Sequence, residues 1–285
     1  MLLFVLRLLA RLPLAWLHCA GTALGGMVYR ASPTYAARLR ENLYASGVCG
    51  DEAACRVLLE QAIAETGKGV TELIAIWFGK DEDVARLVVE CAGWELVEAA
   101  RKRGEGIIFL TPHLGCFEIS ALYAAQRIPL TVLYRPPKKR WIEPLMIKGR
   151  SRWQAVVAPA NLRGVRMLYK ALARGEAIGL LPDQAPGEGE GVWADFFGRP
   201  AYTMTLVRRL QQASAAAVIM AFAKRLPGGC GYHLRFEELP AQDLDEAALN
   251  RAVEAQVRRC PEQYLWSYNR YKVPAGAEPP AKPKG

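Results

Sequence analysis

The spacing of apolar positions changes character along the chain. Residues 1–30, "MLLFVLRLLARLPLAWLHCAGTALGGMVYR", are almost continuously apolar, with Arg7 and Arg11 four residues apart on one helical face. Leu12 to Val28 carries no formal charge, and its 17 residues reach the lower end of the length that crosses a hydrocarbon layer of ~30 Å. Pro13 and His18 weaken it as a spanning helix, while Arg7 and Arg11 suit contact with headgroups. We therefore expect residues 1–29 to form a hydrophobic helix that attaches the protein to a membrane. Gly21 and Gly25 form a small-xxx-small pair that permits close helix packing.

Helical periodicity continues after this segment. Ser32 as a cap, Pro33 at the first helical position and Gly47 as a stop predict a helix over "ASPTYAARLRENLYASG". Asp51 starts a second helix through "AACRVLLEQAIAETGKGVTELIAIWF", in which Gly67 and Gly69 predict a bend. Shorter helical pieces are expected over 81–103. From residue 106 the pattern becomes short apolar runs: "GIIFL", "LTVLY", "QAVVA", "AIGLL", "AAVIMAFA" and "YHLRF". Helical stretches at 117–126, 162–174, 203–214 and 245–259 separate many of them.

Alternation of strand and helix predicts an α/β fold, a mostly parallel sheet with helices on both faces. One catalytic domain is expected over 30–272, after the anchor at 1–29 and before a Pro-rich tail at 273–285 read as disordered. In such sheets, reactive groups gather at the carboxyl ends of strands. Three strand ends each present a polar residue there: His113, Arg135 and Asp183.

Composition narrows the partners. The net charge of +9, with arginine exceeding lysine, suits an anionic partner. The run Arg135, Lys138, Lys139, Arg140, Lys148, Arg150 and Arg152 is opposed only by Glu143 and is interleaved with Trp141 and Trp153. It is either a solvated face or a grip on lipid phosphates or an acidic carrier protein. An apolar N-terminus has no use in a nucleic-acid binder, so nucleic acid is not expected. The seven cysteines contain no C-x-x-C pair and are read as reduced thiols, with no metal site. The glycines at 187, 189 and 191 lack dinucleotide-binding spacing, so no redox cofactor is expected.

Candidate chemistry centres on "TPHLGCFEIS" at 111–120, which holds one of only three histidines. A loop-to-helix bend would let Glu118 hold one nitrogen of His113 and leave the other to take a proton from a hydroxyl. The alternative is a helix cap beside a chance histidine. No G-x-S-x-G occurs, so the hydroxyl to be activated belongs to a substrate rather than to a serine of the enzyme. Cys116 as an acylated thiolate is the less favoured route. Backbone N–H groups near Gly115 are candidates for holding an oxyanion. Asp183 either orients Arg135, touches the acceptor or caps the turn at Pro182.

"TPHLGCFE" resembles the first block of the glycerolipid-type acyltransferases, H-x4-D/E. Together with "LYRPPKK" at 133–139, "KALARGEAIGLLPDQAPGEGEGVWADFFG" at 170–198 and "PEQYLWSYNRYK" at 261–272, the chain resembles the bacterial lipid A biosynthesis lauroyl/myristoyl acyltransferase family. The resemblance implies His113 as general base, Glu118 as its partner, and Arg135 and Asp183 as substrate-binding positions. It also implies acyl transfer from acyl carrier protein to a hydroxyl of an anionic glycolipid, a lipid A precursor, at the cytoplasmic face of the inner membrane. Where members of that family commonly carry "HRR" near the C-terminus, this chain has "YNR". The rival readings are a different glycolipid or a lysophospholipid as acceptor, or a non-catalytic basic protein of the membrane surface.

Overall fold

The computed structural model describes residues 2–137, 139–240 and 244–280. The apolar N-terminus forms α1 (Leu2–Leu9) and α2 (Leu14–Ala31), whose axes meet at 112°. Pro13 stands just before α2 and disfavours helical backbone at Leu12, which accounts for the break. Among the described residues no single helix is long and apolar enough to cross a membrane. None of the residues of α1 is buried, and Phe4 is 73% and Trp16 65% exposed.

Next come α3 (Pro33–Ala45) and α4 (Glu52–Phe78), the latter capped by Asp51, whose side chain accepts from the Ala54 amide at 2.8 Å. Through Gly67 and Gly69, where a bend is expected, α4 runs as one unbroken helix. Gly67 instead lets α4 meet α2, since a Cβ there would overlap the Gly21 carbonyl oxygen. The small-residue pair on α2 thus packs within the protein: Leu14, Leu17, His18, Gly21 and Gly25 are its buried face.

Not all seven cysteines are the reduced thiols expected. Cys49 and Cys55 form a disulfide, because the turn between α3 and α4 brings their Cα atoms to 5.3 Å.

Residues 81–103, expected as helical pieces, hold a strand between two helices: α5 (Asp81–Arg86), β1 (Val88–Ala92) and α6 (Trp94–Lys102). From there strand and helix alternate as expected, with one helix more, α8: β2 (Ile107–Leu110), α7 (Phe117–Ala125), β3 (Leu130–Tyr134), α8 (Glu143–Arg150), β4 (Ala155–Pro159), α9 (Leu162–Ala173) and β5 (Ala177–Leu180). A separate antiparallel hairpin, β6 (Gly191–Phe196) and β7 (Arg199–Met204), follows. The chain then forms α10 (Leu206–Ser214), β8 (Ala217–Arg225), β9 (Tyr232–Leu239) and α11 (Glu246–Arg259). Seven strands make one sheet in the order β1-β9-β8-β2-β5-β3-β4, parallel throughout except for β8 against β9.

Both faces of the sheet are covered, so its central strands are apolar on both sides. On β2, Ile108 and Leu110 join Leu168 of α9, Leu210 of α10 and Val253 of α11 in one core. Ile107 and Phe109 join Ile76 of α4, Val97 of α6 and Ile119 of α7 in the other. Burial of each such side chain contributes about 1.5–3 kcal/mol. Of the tail, residues 273–280 have no regular structure, although the Trp193 indole donates to the Glu278 carbonyl at 2.9 Å. Residues 281–285, part of the expected disordered tail, lie outside the described residues.

Candidate active site

Parallel pairing of β2 with β5, Leu110 opposite Leu180, sets the loops after these strands side by side. The Thr111 amide continues the ladder to the Leu180 carbonyl at 2.9 Å, and the next residues of each loop face one another. As a result His113 meets Asp183. The Asp183 carboxylate accepts from the His113 amide through Oδ2 at 2.9 Å and lies 2.8 Å from the ring Nδ1 through Oδ1. Burial alone would push the Asp183 carboxyl up. The charge of His113 and hydrogen bonds from its ring and amide outweigh that and hold it below its ordinary value. A carboxylate at Nδ1 accepts the ring proton and leaves a lone pair on Nε2. Gln184, the next residue along, brings its carboxamide nitrogen to 3.1 Å from that Nε2.

The expected pairing of His113 with Glu118 does not form. Glu118 lies in the first turn of α7, on the side packed toward α4 and α8. There it accepts from the Trp77 indole at 3.2 Å and from Arg150, whose Nε is 3.0 Å from each carboxylate oxygen and whose Nη2 also reaches Oε1. Burial works against the Arg150 charge, but Glu118 more than offsets this and raises its pKa. Nor does Asp183 orient Arg135, which is exposed beyond β3 and makes no hydrogen bond or ion pair among the described residues.

Gly115 also differs from expectation as an oxyanion donor. Its amide is committed to the Gln263 carbonyl at 3.0 Å, and the Cys116 amide to Ala223 at 2.9 Å. Glycine is needed there for another reason: φ is +59°, and a Cβ would overlap the Ala223 carbonyl oxygen. The amides of Phe117 and Glu118 open α7 and lack intrahelical acceptors by helix geometry.

Three groups brace these loops. Residues 263–265 cross the His113 loop, with the Leu265 amide donating to the His113 carbonyl at 3.0 Å. The Tyr268 hydroxyl accepts from the Ala185 amide at 3.1 Å, and Asn42 of α3 donates to the Trp266 and Tyr268 carbonyls at 2.7 and 2.8 Å. This gives "PEQYLWSYNRYK" a place in the fold: it fastens both loops from behind. Arg225, at the end of β8, donates to the Gly115 carbonyl at 3.0 Å while paired with Glu72 and Glu65.

A narrow crevice is lined by Phe117, whose ring centroid is 4.9 Å from that of His113. Its apolar wall is Phe117, Ala121, Leu122, Val132, Leu180 and Leu181, and Thr111, Glu118 and Arg150 line the rest with Gly179. Trp77, Arg150 and Gln184 were not singled out as site residues in the sequence. Arg150 was submerged in the basic run, whereas Gln184 had a signal in its adjacency to Asp183 at a strand end. Lys138 of that run lies outside the described residues, and Arg152 is committed to the Ile76 and Gly79 carbonyls and to Asp81. Among the described residues no three His, Cys, Asp or Glu side chains converge as metal ligands would.

Cys116 is buried, and burial followed by the charge of Glu72 pushes its thiol well above the ordinary value. A thiolate nucleophile is disfavoured in this setting. Cys116→Ser should accordingly retain most of the acyl transfer that the resemblance implies, measured as donor consumption, whereas an inactive but folded variant would revive the acyl-enzyme route.

The model of the bacterial lipid A biosynthesis acyltransferase family matches residues 1–273. Among curated proteins, the lipid A biosynthesis lauroyltransferase of Escherichia coli K12 is 28% identical over 279 residues, covering 94% of this chain and 89% of that protein. The lipid A biosynthesis palmitoleoyltransferase of the same strain is 29% identical over 225 residues, 75% of this chain and 72% of the relative. Its lipid A biosynthesis myristoyltransferase is 27% identical over 187 residues, 62% and 57% of the two chains.

Proposed function

Because the chain belongs to the bacterial lipid A biosynthesis acyltransferase family and is therefore an acyltransferase, we propose that it transfers a fatty acyl chain from an acyl carrier protein thioester to a hydroxyl of a lipid A precursor. The observation that carries this reading is the His113–Asp183 pair at the strand ends beside an apolar crevice. His113 Nε2 takes the proton of the acceptor hydroxyl as its oxygen attacks the thioester carbonyl. Asp183 holds the ring tautomer and stabilises the imidazolium that forms. The tetrahedral intermediate collapses by breaking the C–S bond, and the departing thiolate takes the proton from the imidazolium. The products are an ester and the free carrier thiol.

The crevice suits the acyl chain, which needs a dry apolar wall, with the reacting carbonyl near His113. Uncommitted amides at the start of α7, with the helix dipole behind them, suit the developing oxyanion. Glu118 is locked with Arg150, so its contribution is to the wall of the crevice and to the placement of α8 against α4. Arg135, exposed beyond β3, suits an acceptor phosphate. The decisive experiment supplies purified protein with an acyl carrier protein thioester and an under-acylated lipid A precursor. Mass spectrometry should show the precursor gaining one acyl chain. Acylation of a lysophospholipid instead would move the acceptor to the rival reading, and no transfer from any thioester would leave a membrane-surface binding protein.

The acceptor is a membrane lipid, and the exposed apolar residues of α1, with Trp16 of α2, suit attachment to the cytoplasmic face of the inner membrane. Because α2 packs into the protein through its buried face, removing residues 1–29 would uncover α4 as well as release an anchor. Phe4→Glu with Leu8→Glu changes α1 alone. We expect that variant to move to the soluble fraction on flotation with anionic vesicles while its melting temperature stays unchanged. Continued vesicle binding would transfer the attachment to another surface.

A further inference from the structure

Both ring nitrogens of His113 are taken, by consecutive residues of a single loop. Asp183 holds Nδ1, and the Gln184 carboxamide nitrogen stands 3.1 Å from Nε2. With the Nδ1–H donating to the Asp183 carboxylate, Nε2 carries a lone pair, and the Gln184 carboxamide N–H donates to it. The loop that presents them is fixed on either side of Gln184: Asp183 and Ala185 are buried, and the Ala185 amide donates to Tyr268. The atom that must accept a proton from the acceptor hydroxyl is therefore already occupied in the resting protein.

We propose that Gln184 is a positioning residue that caps the base against water until the acceptor hydroxyl displaces it. This rests on the acyl-transfer reading above. A donor-loaded enzyme without acceptor has its thioester beside an imidazole that activates whatever hydroxyl reaches Nε2. Water there would lose its proton to Nε2 and attack the thioester carbonyl. The C–S bond would break, and the thiolate would leave with the imidazolium proton, giving a free fatty acid and a free carrier thiol. The carboxamide fills that position with a donor that has no nucleophilic oxygen on the side of the ring. The acceptor hydroxyl both donates to Nε2 and brings the binding energy of a large lipid, so it displaces the side chain where water does not.

Two measurements test the cap. The first is independent of acyl transfer: diethyl pyrocarbonate modifies imidazole nitrogens, and the chain has three histidines. His233 lies on β9, with a side chain 44% exposed against 13% for His113, and serves as an internal standard that Gln184 does not touch. Peptide mapping should show His113 modified slowly relative to His233 in the native protein. Q184A, and Q184N whose carboxamide is one methylene too short, should speed His113 modification relative to His233 about tenfold, as loss of one hydrogen-bonded cap allows. The second is partition: the ratio of acceptor-free hydrolysis of the carrier thioester to acyl transfer should rise about tenfold in both variants. An unchanged modification ratio in both variants overturns the cap. So does a fall in transfer and hydrolysis together, which marks a merely structural side chain. If neither native nor variant protein transfers acyl groups, the acyl-transfer reading fails, and the modification ratio still decides whether Gln184 covers Nε2.

Discussion

His113→Ala should lower the rate of acyl transfer by ~10²–10⁴-fold, the usual contribution of a positioned general base. The side chain sits in a loop whose backbone is held independently of it, by Leu265, Gln263 and Ala223 on three sides. Loss of the ring should therefore leave the melting temperature and vesicle binding close to those of the native protein. Asp183→Asn makes a sharper test. A carboxamide at that position keeps the volume but allows its N–H₂ to face Nδ1, which favours the tautomer with the proton on Nε2, the wrong atom for a base. The D183N protein should thus approach the His113→Ala rate with little loss of stability. Steady-state transfer with a carrier thioester and a lipid A precursor measures both. Turnover within a few-fold of native in His113→Ala would remove the proposed mechanism. A defect confined to Glu118→Gln, with Asp183→Asn near native, would return the partnership to the residue favoured by the sequence motif.

Much of this fold was legible in the residues. The apolar runs at 106–110, 130–134, 154–158, 177–181, 216–223 and 232–236 each coincide with or fall within a strand to within a residue at either end. Their short length and bounding turns left little room for another assignment. The strand at Val88–Ala92 was hidden because its pattern is mixed and half exposed at the sheet edge. The β6–β7 hairpin was hidden by the glycine-rich approach to it. At the site, the strand-end rule brought out His113 and Asp183 but not their pairing. Which loops meet is decided by strand order, here β8-β2-β5-β3, and order is a property of long-range packing that local periodicity does not encode. The five-residue spacing of His113 and Glu118 suggested contact along the chain, whereas contact across the sheet prevailed. Gly67 makes the same point: within α4 it reads as a weak spot, and its requirement comes from α2.

Arg225 carries the largest expected effect on stability. It is buried, donates to both oxygens of Glu72 at 2.7 Å and to Glu65 at 2.7 Å, and its remaining reach holds the Gly115 carbonyl. Glu72, equally buried, also accepts from the Tyr232 hydroxyl at 2.9 Å and lies 3.3 Å from the His18 ring of α2. The cluster thus joins the N-terminal helix, α4 and the loop that carries His113. Arg225→Met would strand a buried carboxylate, at a cost of ~3–5 kcal/mol. The pH dependence separates this from simple loss of packing. In the native protein burial pushes the Glu72 carboxyl up, but Arg225 outweighs burial and holds it at about 2, below its ordinary 4.5. A depressed carboxyl contributes stability that is fully present above the ordinary value and is lost as pH falls from there toward about 2. Without Arg225, burial is the dominant influence and the same carboxyl rises above its ordinary value. Its contribution then reverses: favourable below the ordinary value, and lost as pH rises through the new one. Denaturant titrations at pH 7 and pH 4 should therefore show the Arg225→Met deficit shrinking in acid. Adding Glu72→Gln to Arg225→Met should recover part of the loss at pH 7 and flatten the difference between the two pH values. An equal deficit at both pH values, unaffected by Glu72→Gln, would mean that Arg225 acts through packing alone and that Glu72 finds its charge compensated elsewhere.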